Sequence, residues 1–96
     1  MSMKPTLPEK GIDAAGENTY ADVIAATARE CSNISVSVST EDAIVSLDGG
    51  TTEHIYVAAD AAPFVLANVN IPAGSQIQGK NAGAGSNYAN LIVHVW

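Results

Sequence analysis

Hydrophobic and polar residues alternate without a break along Asn33-Ile34-Ser35-Val36-Ser37-Val38-Ser39. A period of two places Ile34, Val36 and Val38 on one face of a strand and the small polar residues on the other, the pattern of a strand with one wet face. The run Ala43-Ile44-Val45-Ser46-Leu47 ends in Asp48-Gly49-Gly50, and His54-Ile55-Tyr56-Val57 follows. Glycine supplies the positive φ of a tight reversal, so these two runs predict a hairpin. Further turns are expected at residues 60–63 and at Ile71-Pro72-Ala73-Gly74, where Pro and Gly are placed as in a type I turn. They delimit strands over residues 64–69 and 75–80. A glycine-rich loop over residues 81–87 leads to a last alternating strand over residues 89–96.

Residues 20–28, YADVIAATA, satisfy two patterns. Tyr20, Val23, Ile24, Thr27 and Ala28 keep helical spacing, and Thr19 with Asp22 forms a weak capping box. Tyr20 to Ile24 also alternates, modestly, as a strand. The strand is favoured because the surrounding architecture is made of strands, and the helix stays open. Residues 1–18 hold two prolines, two glycines and no period of either kind, so an extended N-terminal arm over 1–18 is expected ahead of one domain over 19–96. Six or seven short strands separated by turn signals predict an all-β fold, a small antiparallel β-sandwich or jelly-roll-like barrel.

Composition narrows what such a domain does. Ninety-six residues suffice for one core, and with one Phe, one Trp and three Tyr that core is built from Val, Ile, Leu and Ala. Four Lys and Arg stand against ten Asp and Glu, a formal charge of −6. Lys4 and Lys10 fall in the arm, leaving Arg29 and Lys80 for the body. This balance argues against nucleic acid and against anionic membranes, both of which are bound through clustered cations. The start of the chain lacks the apolar run of a signal peptide, and no stretch is apolar for eighteen residues, so neither a signal peptide nor a membrane span is expected. Cys31 is the single cysteine, which excludes an internal disulfide and a zinc site built on several thiolates.

Candidate chemistry is sparse. His54 and His94 have no nucleophile or acid at a spacing that implies a catalytic set, and both are expected as surface or hydrogen-bonded histidines. Asp48, Glu53 and Asp60 flank the central hairpin and carry the oxygen ligands calcium takes, but their spacing departs from an EF-hand loop, and turn and surface roles are expected. Gly79, Gly83 and Gly85 lack the Lys-Ser/Thr and the strand-to-helix context of a phosphate loop. Cys31 reads as a small buried hydrophobe. Asn33-Ile34-Ser35 matches a glycosylation triplet that carries no weight without a secretory signal. Trp96 either seals one end of the sandwich or anchors a subunit contact. No enzyme activity, metal or cofactor is expected.

Cys31-Ser32-Asn33-Ile34-Ser35-Val36, Asp48-Gly49-Gly50-Thr51-Thr52, Asn70-Ile71-Pro72-Ala73-Gly74, Lys80-Asn81 and the run from Tyr88-Ala89-Asn90-Leu91 to Trp96 together resemble small virion structural proteins of tailed phages. The resemblance implies a head decoration (cement) protein in the virion, made in the host cytoplasm. It implies binding to the major capsid protein or another virion protein and assembly as a homo-oligomer, a trimer above all. A tail, fibre or head-tail component is the alternative on the same likeness. Lys4, Pro5, Leu7 and Pro8 of the arm, with Tyr88 and Trp96, are the candidate interface residues. From a different class, a carbohydrate-binding β-sandwich would use Tyr56, Tyr88 or Trp96 as stacking platforms.

Overall fold

The computed structural model describes residues 10–14, 20–82 and 89–96. Among them run eight strands: β1 Lys10–Ala14, β2 Ala21–Ile24, β3 Cys31–Ser39, β4 Ala43–Ser46, β5 Ile55–Val57, β6 Phe64–Ile71, β7 Ile77–Asn81 and β8 Ala89–Val95. They form two four-stranded sheets, β1-β8-β3-β6 and β2-β7-β4-β5, in which every pairing is antiparallel. The all-β sandwich expected from the alternating pattern is the fold observed. Successive strands lie in opposite sheets except β4 and β5, the hairpin that Asp48-Gly49-Gly50 announces. Both glycines take the left-handed conformation, at φ 73° and 91°.

The interior follows from the alternation. Ile34, Val36 and Val38 of β3 stand opposite Val95, Val93 and Leu91 of β8, and all six are buried. Ala43, Val45, Ile55, Val57 and Ile77 meet them from the other sheet. Among the described residues, the buried apolar ones are aliphatic apart from Cys31. Each large one contributes roughly 1.5–3 kcal/mol when fully buried.

Two local expectations are corrected, and the strand favoured for residues 20–28 is found in irregular form. Lys10–Ala14, which falls in the segment expected to be an arm, is an edge strand, with Ile12 opposite Leu91. A five-residue strand containing Gly11 has too few alternating positions for its sequence to show a face. Residues 20–28 hold a strand and no helix, but the strand is irregular: two steps from Asp22 to Ile24 face one step from Gln78 to Ile77. Val23 is the extra residue of a β-bulge, and the bulge lets Val23 and Ile24 both enter the core, at 0% and 6% exposure. Two adjacent buried residues imitate helical spacing. Finally, the 71–74 turn is displaced by one residue. Ser75 N donates to Pro72 O at 3.2 Å, which makes Gly74, at φ 83°, the third residue of a type II turn.

Two residues close the two ends of the sandwich. Thr27, buried between β2 and β3, exchanges backbone hydrogen bonds with the β6–β7 connection: Thr27 N to Ser75 O at 3.0 Å and Gly74 N to Thr27 O at 2.8 Å. Its hydroxyl donates to Pro72 O at 2.9 Å and accepts from Ser75 N at 3.0 Å. Beyond the far end of β3, Asp42 accepts from Ala59 N at 2.8 Å through Oδ1, and its carbonyl accepts from Ala82 N at 2.9 Å. The crossings between sheets are thus tied together by one residue at each end, through its backbone and its side chain.

Candidate functional site

The outer face of the β2-β7-β4-β5 sheet is where the polar chemistry of the chain gathers. Register places Tyr56, Ile44 and Lys80 in one row across β5, β4 and β7, and Gln78 and Asp22 in the next. The β4–β5 connection folds back over this face. Gly49 N donates to Gln76 O at 3.0 Å, and a Cβ built on Gly50 would lie 3.2 Å from the Tyr20 ring. Ser46 and Lys80, which point away from the core, are buried by that loop. Asp48 braces it: its Oδ1 accepts from Ser46 Oγ at 2.8 Å and from Thr52 N at 2.9 Å. Those bonds, the Ser46 one foremost, hold the Asp48 carboxyl down at about 2.

Beneath the loop, Lys80 Nζ donates to Glu53 Oε2 at 2.6 Å and lies 4.8 Å from the centre of the Tyr20 ring, a cation–π contact. The Lys80 side chain is 8% exposed and that of Glu53 58%, so the pair has one dry and one wet partner. The hydrogen bond to Glu53 raises the ammonium's pKa, against the opposing effect of burial. Tyr20 is shifted upward by burial, with the Lys80 charge pulling the other way. Its hydroxyl is buried without a hydrogen-bond partner among the described residues.

Beside this cluster an open depression of about 210 Å³ is lined by Ile44, Glu53, His54, Ile55 and Tyr56. Tyr56 is 59% exposed, and its hydroxyl donates to Asp42 Oδ2, which fixes the ring. That bond raises the tyrosine's pKa and lowers the carboxyl's. His54 Nδ1 accepts from Leu47 N at 3.1 Å, which in the neutral imidazole leaves the proton on Nε2.

The second surface is β6. It is an edge strand, paired only with β3 among the described residues. None of its eight residues, FVLANVNI, is charged. Val65 is 58% exposed and Phe64 36%, while Leu66 and Val69 are half-buried against the core. On its inner side β6 carries a bulge: two steps from Cys31 to Asn33 face four from Ile71 to Ala67, with Asn68 at φ 61°. The sequence pattern predicts this strand but not its place at an open edge. The available signal is the absence of any charge between Asp60 and Lys80.

The other singled-out residues fall as follows. Lys4, Pro5, Leu7, Pro8 and Tyr88 lie outside the described residues, as do Gly83, Gly85 and Thr19. Trp96 is half-buried and locked to β3 by its backbone: Trp96 N donates to Asn33 O at 3.1 Å, and Trp96 O accepts from Ser32 N and Asn33 N at 2.9 Å each. Asn33 Nδ2 adds a further bond to Trp96 O at 3.2 Å. His94 is half-buried on the outer face of the other sheet, opposite Ser35. Cys31 is buried, its thiol donating to Arg29 O at 3.5 Å. Asp48, Glu53 and Asp60 do not converge, since the first two are engaged as above and Asp60 takes a turn at φ 58°. No group of three metal-binding side chains occurs among the described residues.

No family model matches the sequence, and no curated protein matches it. The fold is similar to a solved structure of Bacillus endospore appendages, described as forming a novel family of disulfide-linked pili. The two share 16% identity over 98% of this chain and 88% of the other, with a TM-score of 0.54. At that identity the likeness is one of fold, and with its single cysteine buried this chain does not present the thiol that a disulfide link between subunits uses. The chain is therefore an all-β sandwich whose architecture also serves a pilus-forming structural protein.

Proposed function

We propose that this chain is a structural subunit that builds a repeating protein assembly, and that copies meet through the open edge of β6. The observation that carries this reading is the edge itself: eight uncharged residues with Val65 and Phe64 exposed, and one side of the strand unpaired among the described residues. Such an edge presents a row of free N–H and C=O groups, and monomeric proteins blunt it with lysine, proline, inward charges or a bulge. Here no charge or proline interrupts the strand, and its bulge lies between Ala67 and Ile71, so the half from Phe64 to Ala67 keeps regular register with β3. A second copy is the occupant chosen because an identical uncharged edge meets no electrostatic penalty, although each chain carries a charge of −6. The strand order, read as the winding of a jelly roll, and the fold shared with a pilus-forming protein support an assembly role.

Within that role, the finer reading is a head decoration protein of a phage particle, contacting the major capsid protein as a trimer, with a tail or fibre component as the alternative. The likeness of the turn and strand segments to small virion proteins supports it. Electron microscopy of the parent particle tests this reading. Hundreds of copies on a shell lattice are expected, a fibre or an appendage of stacked copies would replace decoration with a filament role, and absence from any particle would end both.

A further inference from the structure

We propose that the depression beside Tyr56 is a binding site for a single neutral hexopyranose ring. Its walls are of three chemical kinds. Ile44 gives an apolar floor, and Tyr56 gives an exposed aromatic wall whose hydroxyl is already spent on Asp42. The ring is therefore offered as a surface against which the C–H face of a sugar packs. His54 offers a single N–H donor at Nε2, since Leu47 N fixes its tautomer through Nδ1. Glu53 offers the acceptor: Lys80 holds Oε2 at 2.6 Å, and the side chain remains 58% exposed.

Charge and size select among ligands. Lys80 neutralises Glu53 from beneath, so the site favours neither an anion nor a cation strongly, and a neutral polyhydroxylated ring matches a donor and an acceptor set around an apolar patch. At about 210 Å³ the depression is below the roughly 300–1,000 Å³ of pockets for drug-sized ligands, which limits it to one ring. Its members are pre-positioned: Asp42 orients Tyr56, Leu47 orients His54, and Lys80 holds Glu53. Binding therefore orders little that is not already ordered. The site lies on the sheet opposite to β6, so it stands independently of the assembly role.

The test is a titration of the isotope-labelled full chain with methyl α-D-glucopyranoside and, separately, methyl α-D-galactopyranoside, followed by amide and aromatic chemical shifts. Saturable shifts at Tyr56, His54 and Ile44 are expected with at least one of them, at a Kd of about 1–10 mM. Tyr56→Ala is expected to weaken that binding about three- to tenfold, as the loss of one aromatic contact gives. His54→Ala is expected to weaken it with only a small shift of the thermal transition, since the bond it loses to Leu47 N is exposed and water replaces it, which separates lost contact from lost fold. No saturable shift with either sugar, or shifts that map away from these residues, overturns the proposal.

Discussion

Gly79 of β7 faces Leu91 of β8 across the sandwich so closely that a Cβ on the glycine would lie 2.7 Å from Leu91 Cδ1. The same Cβ would sit 3.6 Å from Val23 Cγ2, the residue that the β2 bulge turns inward. The spacing of the two sheets at this point is set by the missing side chain. The interior around it is closed: Leu91 and Val23 are both fully buried and have nowhere to retreat.

Gly79→Ala is therefore expected to destabilise the domain by about 1–3 kcal/mol through overpacking, measured by urea unfolding. Leu91→Val on its own removes a methylene and costs about 1 kcal/mol. The double variant is expected to be more stable than the sum of the two losses, because the smaller side chain makes room for the new Cβ. Strict additivity would show that the two residues do not share space.

Thr27 gives a second prediction. Its hydroxyl bridges Pro72 O and Ser75 N, and Thr27→Val keeps the shape while removing both bonds, although Ser75 N still donates to Pro72 O within the turn. A loss of about 0.5–1.5 kcal/mol is expected in chemical denaturation, with Thr27→Ser retaining most of the stability. Equal losses in the two variants would assign the effect to packing.

The Lys80–Glu53 pair predicts an asymmetry. Glu53→Gln leaves a buried ammonium without its carboxylate and is expected to cost about 1–2 kcal/mol, less than a fully buried pair because Glu53 is more than half exposed. Lys80→Met leaves only a solvated carboxylate and keeps the packing of the stem, so its cost is expected to be smaller. The same pair sets an alkaline limit. The ammonium's folded pKa is raised above its ordinary 10.5, so its contribution is complete below that value and is lost as pH rises through the folded pKa.

Asp48 sets the acid limit. Its carboxyl titrates at about 2 in the folded chain against an ordinary 3.8, so its contribution is complete above pH 3.8 and is lost as pH falls through about 2. The difference in stability between the wild type and Asp48→Asn is expected to be constant near neutrality and to shrink between about pH 4 and pH 2. A difference independent of pH over that range would separate the brace from the carboxylate's charge.

What the sequence discloses of this fold follows from how local each signal is. Ile34, Val36 and Val38 alternate within one strand, and Asp48-Gly49-Gly50 reverses the chain within three residues, so strand β3 and the β4–β5 hairpin are legible directly. The β2 segment is not, because the bulge at Val23 breaks the period that would mark it. Lys80 reads only as one of two cations in the body and is a buried one because the β4–β5 connection folds over it from 27 residues away. Tyr56 is visible in sequence as a possible stacking platform and Glu53 and His54 as hairpin surface residues, and the depression they share with Ile44 exists only through the pairing of β4 with β5. The β6 edge is exposed by strand order alone, a property of the whole sheet.

The assembly role is tested most directly by sedimentation velocity on the full chain beside a Val65→Lys/Ala67→Lys variant, over a concentration series. The wild type is expected to associate as concentration rises, and the variant, with two charges on the β6 edge, to associate at least about tenfold more weakly with an unchanged circular dichroism spectrum. A wild type that stays monomeric throughout, or a variant that associates just as well, would contradict it.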